Sequence, residues 1–305
     1  MAQLTRRSLL QAAGTGLAAS LLAPLARSAG QEPKRDGVTR LVFMTDSHVP
    51  GERTQNGRFE KALALAKAEK ADAYVFGGDN VMAVDGGRTR AHADAEFSNW
   101  KALIDAHVPV PHHSVIGNHD IWWTDDASAG SRKDKGYAIE IFKMPNRYFA
   151  ANIGEWKFLF LDVYHKEGCH VDEEQLKWLD AETKDVKAKI ALVSHAPILT
   201  VTSYIETETA KEGAFHVPAG WMVGNAQAIR DLLFDRPQVK LALSGHMHQI
   251  DHCIFDHCHY ICGGAVSGSW WSGSYYKFPP AYLVFDLQPD GKFSHRLVYW
   301  EAAAS

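Results

Sequence analysis

Cysteine is scarce in this sequence: four in 305 residues, Cys169, Cys253, Cys258 and Cys262. The last three lie around a hairpin pattern, HCIFDHCHYIC, and their spacing does not fit a zinc knuckle. A disulfide between two of them and buried free thiols both stay open. Basic excess is also missing. Lys and Arg number 32 against 36 Asp and Glu, for a net charge of -4. That excludes a general nucleic-acid binder, which needs cations to neutralise phosphates. Beyond the first thirty residues no segment is apolar and long enough to span a membrane. After residue 37 there is no Pro/Gly/Ser linker, low-complexity tract or repeat, so residues 38–305 read as one domain. What the chain does have is apolar material, 46% of residues, enough for a sizeable core. It also has 16 histidines, a composition compatible with metal binding that does not by itself show it.

Residues 1–30 differ in kind. TRRSLL is followed by QAAGTGLAASLLAPLARSAG: a twin arginine, a weakly apolar Ala/Gly/Leu stretch, then small residues. This looks like a twin-arginine (Tat) export signal, the stretch being short and Gly-rich for a stable membrane span. The expectation is a Tat signal over 1–30, a polar linker over 31–37, and a periplasmic or secreted protein handled by the Tat machinery. Cleavage would remove Arg6, Arg7 and Arg27 and no acid, taking the net charge from -4 to -7 and leaving no stable membrane span.

From residue 38 the pattern alternates. RLVFMTD, DAYVFGGD, PHHSVIGNHD, KIALVSHAP and VKLALSGH are apolar strands; GRFEKALALAKAEK, HADAEFSNWKALIDA, DEEQLKWLDAETKD and NAQAIRDLLF read as helices. RYFAANIGEWKFLFLD reads as a hairpin turning at Gly154, and the C-terminal part is all β. Helices flanking mostly parallel strands imply an α/β sandwich.

Five of those strands deliver a polar group at the carboxyl end: Asp46-Ser47-His48, Asp79-Asn80, Asn118-His119-Asp120, His195 and His246-Met247-His248. That is the edge where open α/β sheets hold ligands. Each alone passes for a capped loop; five in series do not. The set mixes carboxylates, an amide oxygen and imidazoles without a thiolate, which suits borderline divalent ions such as Mn, Fe or Zn. It exceeds one tetrahedral ion. Two ions about 3.5–4 Å apart, sharing a carboxylate, would use it all.

DSH, GGDN, GNHD, SHAP and GHMH, in that order, resemble the calcineurin-like metallophosphoesterase family from about residue 39 to 265. The resemblance implies a four-layer αββα sandwich with a dinuclear site at the strand ends. By it, Asp46, His48 and His248 would bind one metal, Asn118, His195 and His246 the other, and Asp79 would bridge. His119 would be no ligand but the general acid, or a cation over the phosphoryl oxygens. Asp120 would orient a histidine, and Met247 would point away into packing. A metal-bound hydroxide would attack phosphorus in line with the leaving oxygen.

GGDNVMAV carries no tyrosine ligand after its GD, unlike the purple acid phosphatases, and no GDxxDRG, unlike the protein phosphatases. What remains resembles the cyclic-nucleotide phosphodiesterase-like branch, with a small-molecule phosphate ester as substrate. A phosphodiesterase is the expectation and a phosphomonoesterase the alternative. A non-catalytic metal-binding protein is disfavoured, because every ligand and His119 are kept. Trp122 follows the GNHD motif, and Trp270 and Trp271 lie in GGAVSGSWWSGSYY. These rings either line the substrate cleft or close the end of the sandwich.

Overall fold

Apolar runs too uniform for strands with one wet face decide the architecture. In LVFM (41–44), YVF (74–76), ALV (191–193) and LAL (241–243) every residue is buried, as in parallel strands covered on both sides. In the computed structural model, which describes residues 36–205, 210–211 and 213–301, the elements run as follows. First come β1 (Thr39–Met44), α1 (Gly57–Lys67), β2 (Ala73–Phe76), α2 (Arg90–His107), β3 (His112–Ser114) and α3 (Gly136–Ile141). Then follow β4 (Phe149–Ile153), β5 (Trp156–Phe160), the short pair β6 (Tyr164–His165) and β7 (Gly168–Cys169), α4 (Glu173–Thr183) and β8 (Lys189–Val193). The remainder is the short pair β9 (Ala210–Lys211) and β10 (Ala214–Phe215), α5 (Ala226–Leu233), β11 (Val239–Ser244), β12 (Ile250–Phe255), β13 (Cys258–Gly263), β14 (Ala281–Leu287) and β15 (Phe293–Tyr299).

Two sheets result, ordered β15-β14-β1-β2-β3 and β12-β13-β11-β8-β5-β4. In the first, β1, β2 and β3 are parallel. In the second, β5, β8, β11 and β13 are parallel. One core unites Leu41, Phe43 and Phe285 of the first sheet with Phe158, Phe160, Leu241 and Ile261 of the second, and with Phe59, Phe97 and Trp100 of α1 and α2. A smaller core joins Leu159, Ile190 and Leu192 on the second sheet's other face to Leu179 of α4 and Ile229 and Leu233 of α5. The fold is therefore the expected four-layer αββα sandwich.

Local chemistry sets the helix ends. Thr89 caps α2 through His92 N, and Asp172 caps α4 through Gln175 N, ahead of Glu173 and Glu174 at the positive end of the helix dipole. The third apolar strand is shorter than its sequence suggests, because Asn118–Asp120 coil into a 3-10 turn. The helix α3 was not expected, its six residues being too few to show a period. All four cysteines are free thiols, which closes the disulfide alternative in this structure. No helix among the described residues is long and apolar enough to cross a membrane. The expected export signal and most of the linker lie outside the described residues.

Candidate metal centre

The carboxyl ends of β1, β2 and β3 in one sheet and of β8 and β11 in the other open onto the same place. Hydrogen bonds lock these ends to each other. Asp46 N donates to Gly78 O (3.0 Å), and His48 N to Asp79 O (2.9 Å). Two further bonds cross between the sheets: His195 Nδ1 donates to Gly77 O (2.8 Å), and His246 N to the Asp46 carboxylate (3.0 Å). The backbone is unusual here. Asp46, His48, Asp79, His246 and His248 all have positive φ, between 41° and 68°. L-residues adopt that region at a cost, and such strain gathers where function over-determines the geometry. His246 and His248 thus do not continue the strand, which ends at Ser244. They sit on a left-handed turn that separates their rings.

The rings and carboxylates form overlapping groups. Asp46, His48 and His248 bring ligand atoms within 4.8 Å of one another, and so do Asp79, His195 and His246. The same holds for His48, Asp79 and His119. His48 Nε2 and His248 Nε2 are 3.1 Å apart, and Asp79 Oδ2 lies 3.2 Å from His195 Nε2 and 3.7 Å from His48 Nε2. Asp79 therefore stands between the two halves of the site. His195 and His248 each give Nδ1–H to a carbonyl, of Gly77 and Gly268, which turns Nε2 inward as the nitrogen a metal would meet. Buried His195 Nε2 and Asn118 Oδ1 have no hydrogen-bond partner among the described residues. Orphaned acceptors amid imidazoles and carboxylates are what divalent cations would satisfy, so the donor set fits two metal ions.

Packing leaves no slack around Asp79. A Cβ on Gly117 would lie 2.1 Å from Asp79 Oδ1 and 2.2 Å from its backbone nitrogen. The titration behaviour reflects burial opposed by charge. Burial holds His48 down to about 3 and His246 to about 4. Burial would lower His195 too, but Asp79 and Asp46 raise it to about 9. Asp79 lies well below the carboxylate range despite its burial, because His195 faces it.

His119 is the least enclosed of the group. Its backbone N donates to Asp79 Oδ1 (2.9 Å), and its Nδ1 lies 3.4 Å from Asp85 Oδ1. Burial opposes its protonation, but Asp85 and Asp79 raise it to about 9. Asp85 was missed in the sequence, where an acid before Gly86-Gly87 reads as a turn. Asp120 was expected to orient a histidine, and its hydrogen bonds go elsewhere. It accepts from Gly117 N (2.9 Å), Asn80 N (2.9 Å), Val81 N (3.1 Å) and Asn80 Nδ2 (3.1 Å), joining the loop of Asp79 to the loop of Asn118.

A cavity lies over the site, floored by Asp79, Asn118, His119, His246 and His248 and walled by Trp221, Trp270 and Tyr275. Met247, though buried, also borders it. Of the three tryptophans singled out in the sequence, only Trp270 lines this cavity, with its ring 4.5 Å from that of His248 and 41% of it exposed. Trp122 is fully buried and donates to Arg88 O, so it belongs to the core. Trp271 donates from Nε1 to His48 O (2.9 Å) and packs on Phe59 and under Arg58, holding a ligand loop from behind. Trp221 and Tyr164 were missed. Tyr164 packs on His195 and His246, with ring centroids 5.8 and 5.7 Å away. Trp221 comes from an irregular stretch and Tyr164 from a two-residue strand, both too short of pattern to show a period.

Residues 39–250 match the family model described as calcineurin-like phosphoesterase. Among solved structures the chain is similar to a dimetal phosphatase from Danio rerio, at 15% identity and TM-score 0.59, covering 87% of this chain and 99% of that one. It is similar to a purple acid phosphatase from yellow lupin (Lupinus luteus) seeds, at 15% identity and TM-score 0.58, covering 86% of this chain and 52% of that one. A third likeness is to the inner-membrane-complex anchor of Plasmodium, at 18% identity and TM-score 0.54, covering 88% and 86%. At these identities the likeness is one of fold. No curated protein matches the chain.

Proposed function

The chain belongs to the calcineurin-like phosphoesterases, and from that premise we propose that it is an exported phosphodiesterase of the cyclic-nucleotide phosphodiesterase-like branch. It is a dinuclear metallophosphoesterase, using two divalent ions. We assign one to Asp46, His48 and His248 and the other to Asn118, His195 and His246, with Asp79 shared. When bound, the metals supply Lewis acidity toward the phosphoryl oxygens and lower the pKa of the attacking water. The chain's own groups do the rest. His119, whose Nδ1 lies 3.4 Å from Asp85 Oδ1, borders the cavity, where it protonates the leaving oxygen. Asp120 fixes the two loops that carry Asp79 and Asn118.

The observation that carries the diester reading is the cavity lining. Among the described residues it contains no Lys or Arg, and three of its members are aromatic. A phosphate monoester brings about -1.5 to -2 charges at neutral pH and is usually met by cationic forks. A diester brings one charge and a second organic group, for which Trp221, Trp270 and Tyr275 offer surface. The Tat reading rests on Arg6-Arg7 and the stretch that follows. Turnover of a bis-aryl phosphodiester against an aryl phosphomonoester, with Mn added, tests the substrate class. A higher kcat/KM for the monoester overturns the diester reading and leaves a phosphatase.

A further inference from the structure

The three residues assigned to one ion, Asp46, His48 and His248, are each held by the same short stretch of chain. Residues 266–271 follow β13 and bond to the loop that leaves β1. Val266 N donates to Thr45 O (2.9 Å) and Ser267 N to Asp46 O (3.2 Å). Trp271 Nε1 donates to His48 O (2.9 Å), and Gly268 O accepts Nδ1–H of His248 (2.6 Å). Residues assigned to the other ion are held elsewhere, His195 by Gly77 O and His246 N by the Asp46 carboxylate. One half of the centre is thus placed only as firmly as residues 266–271 are.

That stretch is not a relaxed one. Gly268, Trp270 and Trp271 have φ of 60°, 45° and 68°. Two successive tryptophans in the left-handed region persist only where the surroundings over-determine them. The clamp comes from two directions. Beyond β15, Trp300 Nε1 donates to Val266 O (2.9 Å). On α1, half-buried Arg58 donates from one guanidinium nitrogen to Trp271 O and from the other to the Glu301 carboxylate. Its guanidinium lies 5.7 Å from the Trp271 ring centroid and 5.8 Å from that of Trp300. Arginine suits this place, because a planar fork reaches two acceptors at once and stacks on rings, which a lysine ammonium does not do. A partly exposed ion pair such as Arg58–Glu301 stabilises a fold little by itself. The weight of Arg58 lies in what the fork fixes, the carbonyl of the residue whose indole reaches His48.

We infer that Arg58 is a positioning residue for the ion at Asp46, His48 and His248, latching residues 266–271, through which those three ligands are placed. This rests on the metal assignment proposed above. Without the latch the Trp270–Trp271 pair relaxes, the Trp271 indole draws back from His48 O, and Gly268 O loosens its hold on His248 Nδ1. Removing a group that bonds directly to a metal ligand weakens the metal about 10–100-fold. Arg58 acts one step further out, so its loss should weaken one ion by about tenfold, the low end of that range.

The test reads the two ions separately. Enzyme loaded with ¹¹³Cd²⁺ is followed by cadmium NMR and equilibrium dialysis. The wild type should show two resonances, of which His48→Gln removes one and His195→Gln the other. Any other pattern refutes the metal assignment itself, and the inference with it. Given that pattern, Arg58→Ala should weaken about tenfold the ion that His48→Gln removes and leave the other unchanged. The same variant should turn over the bis-aryl diester slowly at limiting Mn²⁺ and recover at excess Mn²⁺. Leu63→Val, on the buried face of the same helix, should lower the melting temperature and spare both ions, which separates positioning from stability. Weakening of both ions alike, or of neither, or a slow rate that excess Mn²⁺ does not restore, overturns the proposal. Should Arg58→Ala fail to fold, Trp271→Phe decides, since it keeps a ring and removes the donor to His48 O. It must weaken the same ion, and an unchanged affinity refutes the latch.

Discussion

One methyl group tests the geometry of the centre. Gly117 has an ordinary φ of -90°, so alanine fits its backbone without strain. The obstacle is space: a Cβ there would meet Asp79 at 2.1 and 2.2 Å. Carbon contacts settle at about 3.5–4.0 Å, so Asp79 and its loop must retreat by more than 1 Å. Overpacking of that kind costs about 1–3 kcal/mol of stability. The loss of function should be far larger. Sites need their groups within about 0.5 Å of the working position, and a 1 Å misplacement costs on the order of 10²-fold in rate. Gly117→Ala should therefore stay folded, lose at least 10²-fold in kcat, and bind metal more weakly, since Asp79 would be shared between both ions. Gly57→Ala is the control. It is the first residue of α1, exposed, with nothing within 4 Å of the added carbon. That change should stabilise by about 0.4–1 kcal/mol and leave activity alone. Urea melts, plasma-emission metal counts and steady-state kinetics on both variants settle it. A Gly117→Ala enzyme with wild-type metal content and rate would show that Asp79 is not the pivot.

His119→Ala should keep about two metals in the dinuclear centre and lose about 10²–10⁴-fold in rate; loss of a metal equivalent would make His119 a ligand. Asp85→Asn should cause a smaller fall in kcat at unchanged metal content, and a wild-type rate would remove Asp85 from the mechanism. Trp270→Ala should lower kcat/KM for a bulky aryl diester by roughly 5- to 150-fold, from about 1–3 kcal/mol of stacking, and spare a methyl ester. Trp271→Ala should instead lower the melting temperature and affect all substrates alike; the reverse pattern would exchange their roles. Arg6→Lys with Arg7→Lys should hold the precursor in the cytoplasm, and normal export of that variant, followed by fractionation and blotting, refutes the Tat reading.

The parts of the site legible in the sequence are those fixed by local rules. A buried apolar strand that ends in Asp, Asn or His declares both its layer and the end at which its polar group emerges. The aromatic residues obey no such rule. Trp122, Trp270 and Trp271 look alike in the sequence, yet one is core, one faces the cavity and one braces His48. Trp270 and Trp271 have φ of 45° and 68°, which send neighbouring rings in unrelated directions. Asp85 and Tyr164 reach the site only because β2 and β5 bring their loops there, and Asp120 differs from its expected role because four N–H groups converge on it from three backbone positions and a side chain. Such convergence is a property of the packed molecule.

The two sheets also differ between their ends. Every parallel strand bearing a metal-site residue points its carboxyl end one way, and the long connections after β8 and β13, which supply Trp221, Trp270 and Tyr275, leave from that end too. The other end is closed by short turns at Gly154, Asp256 and Gly291. The candidate metal-binding groups and the aromatic walls of the cavity thus come from separate stretches of chain at one pole, with short turns at the other. Changes in the connections after β8 and β13 would therefore alter the wall of the cavity, whereas changes at the Gly154 and Gly291 turns fall at the opposite pole, where the chain packs on Thr39 and Lys189.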